Sequence, residues 1–131
     1  GGTVVGLGAA LDGIFRADNG SIGIIAAKTA NYTILPEDTG KIFTNRGSSA
    51  DLTFTLPAPK AGLWFGFQKS VVDKDIVINT AVAATKVHGG AGATQGVTVT
   101  NNTDTQYGTC ALYCDGYAWF VCQQNGTWAI S

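Results

Sequence analysis

A chain of 131 residues falls within the usual size of one domain and can bury a single core. With 45% hydrophobic residues against 13% charged and a formal net charge of −1, it reads neither as a disordered chain nor as one carrying the basic footprint of a nucleic-acid binder. So few charges on a small domain imply that part of the apolar surface is covered by a partner, such as another copy of the same chain.

The first thirty residues alternate glycine-rich turns with short apolar runs at 3–5, 13–16 and 21–26. They read as an N-terminal arm or strand extension over 1–30, with Val4, Val5, Leu7 and Phe15 as its candidate partner contacts. From Tyr32 the pattern becomes regular, with runs at 32–35, 41–45, 51–56, 63–69, 75–80 and 96–100 that have strand length and are rich in β-branched or aromatic residues. The stretches between them, 36–40, 45–49, 57–59 and 89–92, carry the Pro, Gly, Asn and Ser of turns and loops. Strands at short, even spacing with no amphipathic helix between them predict an all-β domain over 31–131. The expected form is a β-sandwich or jelly-roll-like fold of short antiparallel strands with a glycine-rich N-terminal arm.

Alternation assigns faces. Leu52, Phe54 and Leu56 point to one side of their strand and Asp51, Thr53 and Thr55 to the other. Leu63, Phe65 and Phe67 likewise share a core face, which leaves Trp64 on the opposite face as a candidate contact. Asp115-Gly116 is a strong two-residue turn signal, so 107–122 reads as a hairpin in which Cys114 faces Tyr117, Leu112 faces Trp119, Cys110 faces Val121 and Thr109 faces Cys122. Its second strand is apolar on both faces and requires cover on both. Asn125-Gly126 then returns the chain through Thr127 to Ile130, and Trp128 joins Trp64 and Tyr107 as a candidate partner contact.

Three cysteines, Cys110, Cys114 and Cys122, invite a metal or disulfide reading. In that hairpin Cys122 points away from the other two, and Cys110 and Cys114 lie about 13 Å apart along one strand at ~3.3 Å per residue. All three are therefore expected as buried, reduced, small apolar side chains, in keeping with assembly in a reducing cytoplasm. No leader or lipidation motif is recognisable, and the apolar runs are too short to cross a membrane. Four Asn-X-Ser/Thr sequences, beginning at Asn19, Asn31, Asn101 and Asn125, read as turn chemistry.

No pattern for catalysis stands out, and no cofactor is expected. His88, the one histidine, precedes a glycine-rich stretch that lacks the Lys-Ser/Thr ending of a phosphate loop, and neither Ser49 nor Ser70 sits in a nucleophile motif. The close carboxylate pairs, Glu37 with Asp38 and Asp73 with Asp75, are read as solvated turn residues rather than a cation site.

The stretches 32–47, 52–57, 61–67, 114–119 and 125–128 together resemble a module common in the virion proteins of tailed bacteriophages, seen in small head-decoration proteins and in some tail-fibre or tail-tip proteins. The resemblance covers about three quarters of the chain. It implies a non-enzymatic subunit that assembles as a homo-oligomer, a trimer being favoured, and binds the major capsid protein at the capsid surface after production in the bacterial cytoplasm. The alternative is a tail-fibre domain that holds a host-surface glycan through Trp64, Tyr107 or the 89–96 loop.

Overall fold

The computed structural model describes residues 24–89, 95–102 and 107–131. The all-β, sandwich-like expectation holds: among the described residues twelve strands form two sheets, with one 3-10 turn at Pro36–Asp38 between them. They are β1 (Ile25–Ala27), β2 (Tyr32–Thr33), β3 (Ile42–Thr44), β4 (Leu52–Thr55), β5 (Trp64–Gln68), β6 (Ile76–Asn79), β7 (Val87–His88), β8 (Gln95–Gly96), β9 (Thr98–Asn101), β10 (Thr109–Cys114), β11 (Trp119–Asn125) and β12 (Ala129–Ile130). A seven-stranded sheet runs β1-β3-β5-β10-β11-β7-β8, and a five-stranded sheet runs β12-β9-β6-β4-β2.

The expectation of uniformly antiparallel pairing is corrected. From β1 to β6 the chain changes sheet at every connection, so each strand lies beside the one laid down a full turn earlier and points the same way. β1 pairs with β3, β3 with β5, β2 with β4 and β4 with β6, all parallel. A parallel pair needs a crossover, and here the opposite sheet supplies it in place of a helix. The later strands complete the two layers mostly by antiparallel pairing: β5, β10 and β11 are antiparallel neighbours, as are β6, β9 and β12, while β11 takes β7 as a parallel neighbour. β1 forms the edge of the seven-stranded sheet, beside β3.

Alternation in the sequence produces the core. Leu52 and Phe54 of β4, Ile76 and Ile78 of β6 and Val99 of β9 face Phe43 of β3, Phe65 and Phe67 of β5, Leu112 of β10 and Trp119 of β11, all buried. Burying each of these side chains contributes about 1.5–3 kcal/mol before the ordering entropy is subtracted. Phe43 sits at the joint, its ring 5.6 Å from Tyr32, 5.5 Å from Phe54 and 5.8 Å from Phe67.

Two local features differ from the sequence reading. The hairpin loop holds four residues rather than two: Cys114 pairs with Trp119, Tyr113 with Phe120 and Leu112 with Val121. Asp115 is the reason. Its Oδ1 accepts from the amides of Tyr117 (2.8 Å) and Ala118 (2.9 Å), a side-chain turn that widens the loop, and Gly116 supplies the φ of +103°. Those two amides also hold the Asp115 carboxyl below its usual range. The register then shifts opposite Ala111/Leu112, a bulge that leaves Cys122 unpaired on β11. The second difference is Trp128, which is core and not surface: it is 4% exposed, and its indole Nε1 donates to the Asn125 carbonyl.

The bulge also changes the fate of one cysteine. All three thiols are free; Cys110 and Cys114 are buried as expected, whereas Cys122 is exposed. Burial pushes the Cys110 thiol up to about 12, so it is both shielded and protonated at neutral pH. Native protein is expected to release one equivalent of chromophore from a thiol-reactive disulfide, a Cys122→Ser variant none, and denatured wild type three. A second thiol titrating in the native protein would contradict this burial pattern.

Candidate functional site

The outer faces of the two sheets differ in chemistry. On the five-stranded sheet the outward positions are largely Thr and Asn, as in the row Thr33, Thr55, Asn79 and Thr98, where Thr98 Oγ1 donates to Asn79 Oδ1 at 3.0 Å. Such a face satisfies its own polar groups and is readily hydrated.

The seven-stranded sheet turns a row of aromatic rings outward. The pairings Trp64 to Tyr113, Tyr113 to Phe120 and Phe120 to His88 set four rings side by side on β5, β10, β11 and β7. Each is the outward residue of a strand whose neighbours point into the core, so the row is a consequence of register. Tyr113 stacks on Phe120 with centroids 5.4 Å apart and planes 25° from parallel, and His88 stacks on the other side of Phe120 at 5.2 Å and 22°. Rings lying flat and edge to edge cannot come that close. The stack therefore stands up from the sheet and presents ring edges, forming a ridge. Trp64, at 44% exposed, continues the ridge, and no described ring stacks on it.

Beside the ridge lies a low row. Its members are Ile25, Ile42, Gly66, Ala111 and Gln123, aligned by the pairings of β1, β3, β5, β10 and β11. Ile42 leans across Gly66, where an added Cβ would lie 3.1 Å from its Cγ1, so any larger residue there would lift Ile42 off the sheet. Beyond it the third row is Ala27, Thr44, Gln68, Thr109 and Asn125. None of these outward positions carries Asp, Glu, Lys or Arg. Strands with one solvated face ordinarily alternate apolar residues inward with polar and charged ones outward, and an outer face with no Asp, Glu, Lys or Arg and with aromatic relief has the composition of a contact surface.

The remaining candidates separate from this face or lie at its margin. Tyr107 is half exposed in a left-handed turn, φ +65°, its amide bonded to the Lys69 carbonyl. Trp128 is core, as described above. Val4, Val5, Leu7 and Phe15 lie outside the described residues, as do residues 90–94 of the glycine-rich stretch. His88 is held by stacking, and no hydrogen bond to a described serine or carboxylate orients its ring. Among the described residues no group of three His, Cys, Asp or Glu stands close enough to hold a metal ion, and no helix is long and apolar enough to cross a membrane.

Asp38 has a structural role. Asp38 Oδ2 accepts from the Tyr32 hydroxyl (2.7 Å) and the Leu35 amide (2.9 Å), and its Oδ1 pairs with Lys41 Nζ (2.8 Å). Burial opposes ionisation of Asp38, but these three donors outweigh it and hold the carboxyl below its usual value. The same bond, reinforced by burial, pushes the Tyr32 hydroxyl up to about 12. Lys28 lies 3.8 Å over the Tyr32 ring, so the cluster ties the 3-10 turn to the end of β2. The pairs Glu37 with Asp38 and Asp73 with Asp75 therefore do not act as units: Asp38 binds Lys41, Asp73 lies 3.9 Å from Lys74, and the Asp75 amide donates to Asp51 Oδ1.

The sequence reading placed Trp64 outside the core, where it lies, but did not set Tyr113, Phe120 and His88 beside it. No protein-family model matches this chain, and no curated protein matches it.

Proposed function

We propose that this chain is a non-enzymatic structural subunit of a tailed-phage virion, a head-decoration protein that binds the outside of the assembled capsid as an oligomer. The observation that supports this reading most is the charge-free outer face of the seven-stranded sheet with its aromatic ridge, a surface whose chemistry suits contact rather than hydration. The module resemblance over 32–131 supplies the virion setting, with the major capsid protein as partner and the capsid surface as location. The mechanism is mass action: a protein that binds the lattice and not its dissociated subunits raises shell stability by the free energy of binding. No covalent chemistry is needed.

The test is to add purified protein to undecorated capsids of the source phage. Co-sedimentation in a fixed number of copies per particle, density on the head by cryo-electron microscopy and a raised disruption temperature are expected. Density confined to the tail would overturn the reading. In that event the second reading applies, a tail-fibre domain that holds a host glycan, favoured by Trp64, whose half-exposed indole has no described ring stacked on it. A glycan-array signal lost in Trp64→Ala would establish that reading instead.

A further inference from the structure

We propose that the outer face of the seven-stranded sheet is covered by the same face of a second copy of this chain, the two related by a twofold axis lying in the interface. The inference rests on the reading of that face as a contact surface and names its occupant.

Charge is the first argument. In a twofold pair each surface meets itself, so a charged face must carry a self-complementary pattern or repel its twin. This face carries no acid, lysine or arginine in any of its three rows, and the nearest described carboxylate, the exposed Asp115, lies beside His88 at the far end of the ridge, so little like-charge repulsion opposes a twofold pair. A phosphate-rich or acidic partner would call for cations here, and none is present.

Relief is the second. The ridge of Tyr113 and Phe120 runs across the strands, and the low row, lowest at Ala111 because Ile42 leans across Gly66 beside it, runs parallel to it two residues along each strand, about 6.6 Å away. A twofold axis lying between the two rows and parallel to them lays the ridge of each copy over the low row of the other. One rotation then fills both depressions, and the exposed Trp64 and Tyr113 become the kind of aromatic anchors that dominate interface energies.

Area is the third. Five strands at ~4.8 Å spacing and three rows at ~6.6 Å outline at most about 500 Å² per copy, Thr44 and Gly66 being already buried within the chain, so a pair covers no more than about 1,000 Å². That is the lower end for a specific interface, which predicts a reversible dimer that dissociates on dilution rather than an obligate one.

Sedimentation velocity over a wide range of micromolar concentrations tests this. Wild type is expected to shift from monomer to dimer, with the midpoint independent of salt. Ala111→Arg, which places a charge in the low row, is expected to weaken the dimer about tenfold or more while circular dichroism stays that of the wild type. Ala111→Glu should do the same, and mixing the two variants should restore association, a rescue that mere misfolding could not give. Should either variant fail to fold, Tyr113→Lys and Tyr113→Glu, at a half-exposed position, repeat the experiment. A wild type that stays monomeric, one that forms trimers, or a dimer indifferent to both pairs of substitutions overturns the proposal. Capsid binding separates the two readings: a monomer that still decorates capsids removes the twofold pair and leaves the virion role, whereas a dimer that ignores capsids does the reverse.

Discussion

Phe43→Ala is expected to cost about 3–5 kcal/mol of folding stability, a large part of the total of a domain this size. Phe43 is fully buried on β3, and its ring lies against Phe65 and Phe67 of its own sheet and against Phe54 and Tyr32 of the other, all with centroids within 6.2 Å. The cost of a deleted core side chain depends on how well its surroundings collapse. Here the surroundings are other rings anchored on two sheets, and Phe54 and Phe67 already brace each other at 5.6 Å. The cavity therefore stays open, and the transfer and cavity terms add. Phe43→Leu, which retains most of the volume, is expected to lose much less. Urea unfolding is the measurement, with a midpoint that falls while the slope is unchanged. A loss below about 1 kcal/mol for the alanine variant would mean that the two sheets do not meet at Phe43.

Most strand positions were legible because burial alternates with period two, as in Leu52 and Phe54 or Phe65 and Phe67, and because Gly, Pro, Asn and Asp punctuate the gaps. Direction was not legible. Alternation is the same for a strand pointing either way, and the neighbours of β3 in the sheet, β1 and β5, are both a full turn of winding distant in sequence. The hairpin register turned on one side chain, because Asp115 caps two amides and so makes a wider loop than the Asp-Gly pair alone suggests. The burial of Trp128 had a signal that went unused: it shares a strand face with Ile130, which packs against the core. The aromatic ridge could not be read without register, since Tyr113, Phe120 and His88 are single outward residues on three strands and become neighbours only once those strands are aligned.

Asn45→Ala is the second large effect, expected at about 2–4 kcal/mol, and it acts through the backbone of another segment. Asn45 follows β3 and is fully buried. Its Oδ1 accepts from the amides of Ser70 (2.7 Å) and Val71 (3.0 Å), and its Nδ2 donates to the Lys74 carbonyl at 3.4 Å, so one side chain pins the connection between β5 and β6. Alanine removes the acceptor and leaves two amides, that of Ser70 buried with its residue, without their bond. An unsatisfied buried donor costs about 1–3 kcal/mol, far more than the net value of the bond it lost. Asn31 provides the contrast. Its Oδ1 accepts from the Thr53 amide at 2.9 Å, but the residue is exposed, and water can replace it. Asn31→Ala should therefore cost no more than about 0.5 kcal/mol. Amide hydrogen exchange localises the effect: protection at Ser70 and Val71 should fall in Asn45→Ala before that of β4 and β6, because the connection opens while the sheets hold. Equal losses for the two asparagine variants would show that burial at Asn45 does not set the cost.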